Sequence, residues 1–268
     1  MHRVSNYCYI PLIFIFLCVP ASAQAPFVTD DIGVADYHRF HFEFNNEYDL
    51  LQDSAFPNLR QNTANFKFSY GLLHNVEIGF DNQLLGIFNA STPFLPRSAV
   101  GYGDLDLSVK WNFLKEGQSW RRPALAASLN IELPTGDDRR QLGSGVADYY
   151  LNFILQKSVT EKTTVHLNGG VYFAGNTLTG AEGIRSANGV VFTGGVSMVR
   201  QFSPKLDLGA EVFGALTQNF NLGRGQLQTQ FGGNYAVRKN MTIDFGIIEG
   251  YYQASPKVGP IVGLSINF

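Results

Sequence analysis

The ionisable residues of this 268-residue chain recur at intervals of two, between apolar neighbours, and do not gather into a catalytic motif. In Asp104-Leu105-Asp106-Leu107-Ser108-Val109-Lys110-Trp111 the even positions are polar and the odd ones apolar. A repeat of two places Asp104, Asp106, Ser108 and Lys110 on one face of a β-strand and the apolar residues on the other. The same register along the chain collects carboxylates on polar faces: Glu43, Glu77, Asp81, Asp104, Asp106, Glu132, Asp148, Asp207, Glu211 and Asp244. Basic or imidazole groups on those faces are fewer: Arg39, His41, Lys67, Lys110 and His166. If the faces line one enclosed lumen, low-dielectric walls focus an acidic field that favours cations or neutral solutes. Arg39, Glu43, Lys67, Asp81, Lys110 and Glu211 are the candidates for its constriction. The same residues also suit a shut barrel in which the carboxylates pair with Arg39, Lys67 and Lys110, and both readings stay open.

No HExxH, GxSxG or carboxylate pair of diagnostic spacing occurs, so no catalytic residue and no cofactor is expected. His38 is the one strand histidine on an apolar face, and its strand offers no serine beside it. The loop Pro134-Thr135-Gly136-Asp137-Asp138-Arg139-Arg140-Gln141-Leu142-Gly143-Ser144-Gly145 is the most distinctive. Asp137 and Asp138 have the chemistry to hold a divalent cation, and Arg139 and Arg140 that to hold lipopolysaccharide phosphate. The plainer reading, a solvated loop whose opposite charges neutralise locally, is preferred, and no metal site is expected. The loop is not a phosphate cradle, because the Gly-Lys-Ser/Thr ending and the following helix are missing.

The elements that position these residues follow from composition and periodicity. Charged residues make up 16%, well below the usual quarter or so, and the net charge of −2 gives no basic surface for nucleic acid. Residues 1–23 read as a cleaved export signal, with an apolar run from Ile10 to Val19 and the small residues Ala21-Ser22-Ala23 before the cut. Both cysteines, Cys8 and Cys18, fall in that piece, which excludes thiol and disulfide chemistry in the rest. Twelve strands are predicted, near 37–50, 60–71, 75–88, 101–114, 123–134, 146–158, 163–175, 189–202, 205–218, 225–238, 241–253 and 258–268.

Tight turns alternate with long loops rich in Gly, Asn, Pro and Ser. An even number of amphipathic strands with that alternation predicts an all-β fold: a single antiparallel transmembrane barrel with short periplasmic turns and long extracellular loops. Backbone groups cannot remain unpaired in hydrocarbon, so such a sheet closes on itself, apolar face to lipid and polar face to the lumen. Outer-membrane lipid and lipopolysaccharide are then partners, with no nucleic acid. Inward glycines at Gly79, Gly170, Gly195, Gly209, Gly232, Gly246 and Gly263 either leave room for a solute or relieve crowding where strands coil. The segment 24–36, with Thr29, Asp30 and Asp31, is either a lumen plug meeting Lys67 or Arg39 or a periplasmic tail. The barrel proper spans 37–268.

Three short stretches carry a family resemblance: Pro26-Phe27-Val28-Thr29-Asp30-Asp31; Gly101-Tyr102-Gly103-Asp104-Leu105; and Pro134-Thr135-Gly136-Asp137, followed by Gly143-Ser144-Gly145 and Asp148. Together they resemble an outer-membrane "transporter" family named for the meta-pathway of phenol degradation. The resemblance implies a β-barrel that passes small, often hydrophobic compounds across the outer membrane, with no catalytic residues. The chain ends on Leu264, Ile266 and Phe268, which looks like the terminal signal read by barrel-assembly machinery. The expected function is passive or facilitated passage of a small solute, which the resemblance implies is an aromatic or other hydrophobic compound; the alternative is a closed structural or surface-binding barrel acting through its extracellular loops.

Overall fold

A computed structural model describes residues 26–54, 58–89, 97–177, 180–186 and 189–268. The export signal expected over 1–23 lies outside the described residues, as do parts of the long loops. Twelve strands follow in chain order: β1 Phe40–Leu51, β2 Arg60–Leu73, β3 Val76–Phe88, β4 Ser98–Leu114, β5 Ala124–Leu133, β6 Asp148–Thr160, β7 Thr163–Ala174, β8 Gly189–Ser203, β9 Leu206–Thr217, β10 Gln226–Arg238, β11 Met241–Gly250 and β12 Pro256–Asn267. Each is antiparallel to its sequence neighbours, and β1 pairs with β12, so the sheet is a closed barrel with no free edge. The predicted strands match these within a few residues.

Closure is completed by the last residue. Phe40 N–H donates to Phe268 O at 2.8 Å and Phe268 N–H to Phe40 O at 3.0 Å, while the two rings stack 5.9 Å apart. Leu264 lies opposite Phe44 and Ile266 opposite Phe42 on the same seam. Outward residues such as Phe80, Leu107, Val109, Phe153 and Phe231 are exposed, whereas Asp104, Asp148, Asp244 and Gln230 are wholly buried. Apolar outside and polar inside is the arrangement of a barrel in a bilayer. Trp111, Phe113, Phe173, Phe202 and Tyr235 stand exposed toward strand ends, where aromatic girdles meet headgroups. Glu249 is exposed on the lipid side near the long-loop end of β11.

Two features depart from the simple alternation. Between Asn82/Leu105 and Leu84/Tyr102 the β3–β4 register shifts, so Gly103 and Asp104 oppose the single residue Gln83. This bulge makes both buried and changes which parity of β4 faces inward: Ala99, Gly101 and Gly103 above it, Asp104, Asp106, Ser108 and Lys110 below. The lumen is also not polar throughout. Leu51, Leu59, Leu85, Ile87, Ala99, Leu142 and Ala181 form a buried apolar cluster at the long-loop end. Inward faces there meet folded-in loops and not water, so apolar residues are favoured inside.

Candidate functional site

The chain before β1 runs inside the barrel. Backbone N–H groups of Val28 and Thr29 donate to the two carboxylate oxygens of Glu211 at 3.1 and 2.6 Å, and Thr29 Oγ1 donates to Ser197 Oγ at 2.7 Å. Asp30 N–H meets Asn168 Oδ1 at 2.7 Å, and Ala35 N–H meets Glu77 Oε2 at 2.6 Å. Asn112 Nδ2 donates to Ile32 O at 3.1 Å, and Gln230 Nε2 to Pro26 O. An irregular segment inside a wall has no ladder of its own, and inward side chains from six strands satisfy these groups instead. At the short-turn rim Tyr37 bridges to Gly71, and the chain turns at His38 (φ 59°) into β1.

Charge anchors the segment at one point. Lys110 Nζ lies 2.6 Å from Asp30 Oδ1 and 3.4 Å from Asp31 Oδ1, with its side chain 5% exposed. The aspartates therefore meet Lys110, where Lys67 or Arg39 was expected. Arg39 is exposed and precedes β1, so it is not part of the interior: the strand begins one residue later and 39 sits on the rim turn. Lys67 lies 3.9 Å from Glu43, which also meets His41 Nε2 at 2.7 Å.

Glycine explains how the segment fits. A Cβ on Gly195 would come within 2.5 Å of Thr29 Cγ2, one on Gly209 within 2.9 Å of the Phe27 ring, and one on Gly232 within 2.8 Å of Pro26 Cγ. The room left by these inward glycines is taken up by the chain's own N-terminal segment. Beside it remains a cavity of about 330 Å³ bordered by Asp30, Lys67, Asp81, Asp106, Lys110 and Glu132. The sheet register explains its character: Glu43 pairs with Lys67, Lys67 with Asp81, Asp81 with Asp106, Asp106 with Glu132 and Glu132 with Asp148. One row across six strands thus carries five carboxylates and one ammonium. Of the predicted constriction, Lys67, Asp81 and Lys110 line the cavity, Glu43 holds Lys67, and Glu211 is occupied by the segment.

At the opposite end a loop folds inward. Asp104, buried at the bulge, accepts hydrogen bonds from Gly136 N–H at 2.8 Å and Ser144 N–H at 2.6 Å. Leu142 then packs over Gly101 and Gly103, where a Cβ on Gly101 would come within 2.8 Å of Leu142 Cδ1. Asp137, Asp138, Arg139 and Arg140 project from the same loop and are exposed, the last three as a short 3-10 turn. Asp104 as the clamp was not foreseen, although two consecutive inward residues at Gly103-Asp104 break the alternation and were visible in the sequence. The loop's inward fold had no such signal. His166 Nδ1 lies 3.2 Å from Ser197 Oγ, but that hydroxyl already accepts from Thr29.

The motif residues are therefore assembled at two places: Thr29, Asp30 and Asp31 on the lumen wall, and Gly101, Gly103, Asp104, Gly136, Gly143 and Ser144 at the loop clamp. A family model described as "Putative MetA-pathway of phenol degradation" matches residues 29–268. The chain belongs to this family. No curated protein matches its sequence. Among solved structures it is similar to the COG4313 outer membrane channel from Pseudomonas putida F1, at 14% identity and a TM-score of 0.65, covering 91% of this chain and 99% of that one. The NanC porin (9% identity, TM-score 0.56, 84% and 98% covered) and the KdgM porin (12%, 0.54, 85% and 99%) share the fold. This family member thus has the closed-barrel fold of outer-membrane channels, and these neighbours are channels and porins rather than enzymes.

Proposed function

We propose that this protein is a non-catalytic outer-membrane channel for passive or facilitated passage of small solutes, with residues 24–36 acting as a displaceable plug. The observation that carries the reading is the segment itself: a stretch of main chain held inside a closed barrel by side chains, beside a cavity lined by both signs of charge. Polar contacts of this kind exchange with water at little net cost, so the segment can leave without unfolding the wall. The family description points to aromatic or other hydrophobic compounds as solutes. Acidic residues outnumber basic ones along the open part of the lumen, which favours cations and neutral molecules. Leu264, Ile266 and Phe268 serve as the signal to the assembly machinery, and outer-membrane lipid and lipopolysaccharide surround the barrel.

Single-channel recording in planar bilayers tests this, using the refolded mature chain with and without 24–36. Small or intermittent openings in the full chain and larger, steady, cation-preferring ones in the shortened chain are expected. Asp81→Ala is expected to reduce the cation preference without loss of folding. Silence from both folded forms would overturn the channel reading. It would favour a closed barrel working through its loops, which the apolar cluster at the long-loop end supports.

A further inference from the structure

At the long-loop mouth, away from the plug, three carboxylates converge with no counter-charge against them among the described residues. Period two along β1 turns Glu47 and Asp49 inward, and the loop between β7 and β8 folds over them and brings Glu182. One oxygen from each lies within 4.8 Å of the other two. Asp49 is 0% exposed and Glu182 5% exposed. Among the described residues neither Asp49 oxygen has a hydrogen-bond partner, and Glu182 Oε1 has none. Burying a lone carboxylate without a partner costs several kcal/mol, and three together add mutual repulsion.

The surroundings are built around this cluster. A Cβ on Gly259 of β12 would overlap Asp49 Oδ1, so glycine there leaves space at the carboxylate. The loop is seated independently by Ala181 N–H on Gln61 Oε1 at 2.7 Å, Gly183 N–H on Ala254 O at 2.9 Å, and Ile184 N–H on Thr177 Oγ1 at 2.9 Å. We propose that Glu47, Asp49 and Glu182 form a calcium site that ties the β7–β8 loop to β1 across the mouth of the barrel. The donors are all hard oxygens, without histidine or thiolate, which selects an alkaline-earth ion over zinc or copper. Three protein carboxylates in one buried site suit calcium, which takes six to eight protein and water oxygens in a flexible geometry; magnesium keeps several of its waters and takes one or two carboxylates. The bound ion would hold Ala181 in the apolar cluster and so keep the mouth covered.

The test is calorimetric titration of calcium chloride into the full mature chain, refolded free of lipopolysaccharide in detergent and stripped with chelator. One ion per chain is expected, with a dissociation constant of about 10⁻⁴–10⁻³ M, the range of extracellular calcium modules. Asp49→Asn and Glu182→Gln are each expected to weaken binding at least about tenfold, while Asp137→Asn, on the exposed loop, leaves it unchanged. Folding of each variant is checked by heat-modified gel mobility, and if Asp49→Asn does not fold, Glu182→Gln, lying in a loop, decides. No binding to the unaltered chain, or unaltered affinity in folded Glu182→Gln, overturns the site. Magnesium binding as tight as calcium overturns the choice of ion.

Discussion

Toward the short turns, the interior is filled by polar main chain seated on Glu211, Asn168, Lys110 and Glu77; toward the long loops, Leu59, Leu85, Leu142 and Ala181 pack together. The two halves of one barrel are filled by opposite chemistry. A hydrogen bond exchanged for water nets about 0.5–1.5 kcal/mol, somewhat more to a charged partner. Each large apolar side chain taken from water contributes about 1.5–3 kcal/mol, and none of that is returned by solvent when the cluster opens. The polar closure is therefore the one suited to movement, and the apolar closure resists it unless its loops are released.

The contrast can be broken most strongly at Lys110. Lys110→Met leaves Asp30 buried without its cation, and breaking such a pair costs about 3–5 kcal/mol. Residues 26–36 should then leave the wall, detected as faster thiol labelling of a Val28→Cys reporter; an unchanged labelling rate would show that Lys110 does not anchor it. Leu142→Ala should cost about 2–5 kcal/mol by leaving a void. It should speed protease cleavage of the 134–145 loop while leaving the Val28→Cys labelling rate alone. Coupled responses in both reporters would mean that the two closures are one device.

Asp104→Asn acts on the same loop with a smaller effect. The Gly136 and Ser144 N–H groups lose a charged acceptor, worth about 1.5–3 kcal/mol, and cleavage of the loop should accelerate less than in Leu142→Ala. The weakest effect belongs to the short-turn rim, where Glu116 meets Lys157 Nζ at 2.7 Å and Ser158 N–H at 2.9 Å. Its slight burial pushes the Glu116 carboxyl up, but hydrogen bonds from Lys157 and Ser158 outweigh that and hold it below the ordinary 4.5. A lowered carboxyl contributes stability above 4.5 that is lost as pH falls through its folded value. Glu116→Gln should flatten that acid-side loss in denaturant titrations, with a change below about 1 kcal/mol at neutral pH because the pair is near the surface. A larger change would mean that the rim loop bears on the plug.

These contrasts show what could be read from residue order. Alternation in Leu105, Leu107, Val109 and Trp111 was enough for strands and for their faces, because a strand's side-chain repeat is local. It failed at Gly103-Asp104, where an extra residue reverses the facing of everything above it. Arg39 was assigned to a strand that starts at Phe40, and element ends depend on where pairing partners stop. Asp30 was expected to meet Lys67 or Arg39 and meets Lys110, 80 residues away along the chain. Nothing in local order distinguishes among three cations that a repeat of two assigns to one face.

By itself, the sequence determined twelve amphipathic strands, since period-two alternation is local; their inside-out facing and the need for the sheet to close followed once the export signal, the low charge and the loop alternation placed them in hydrocarbon. Tertiary structure alone decided which inward side chains meet. The path of residues 26–36 across six strands, the docking of Leu142 over Gly101, and the convergence of Glu47, Asp49 and Glu182 all join residues far apart in the chain. Such contacts depend on strand register and loop closure, which a repeat of two leaves undetermined.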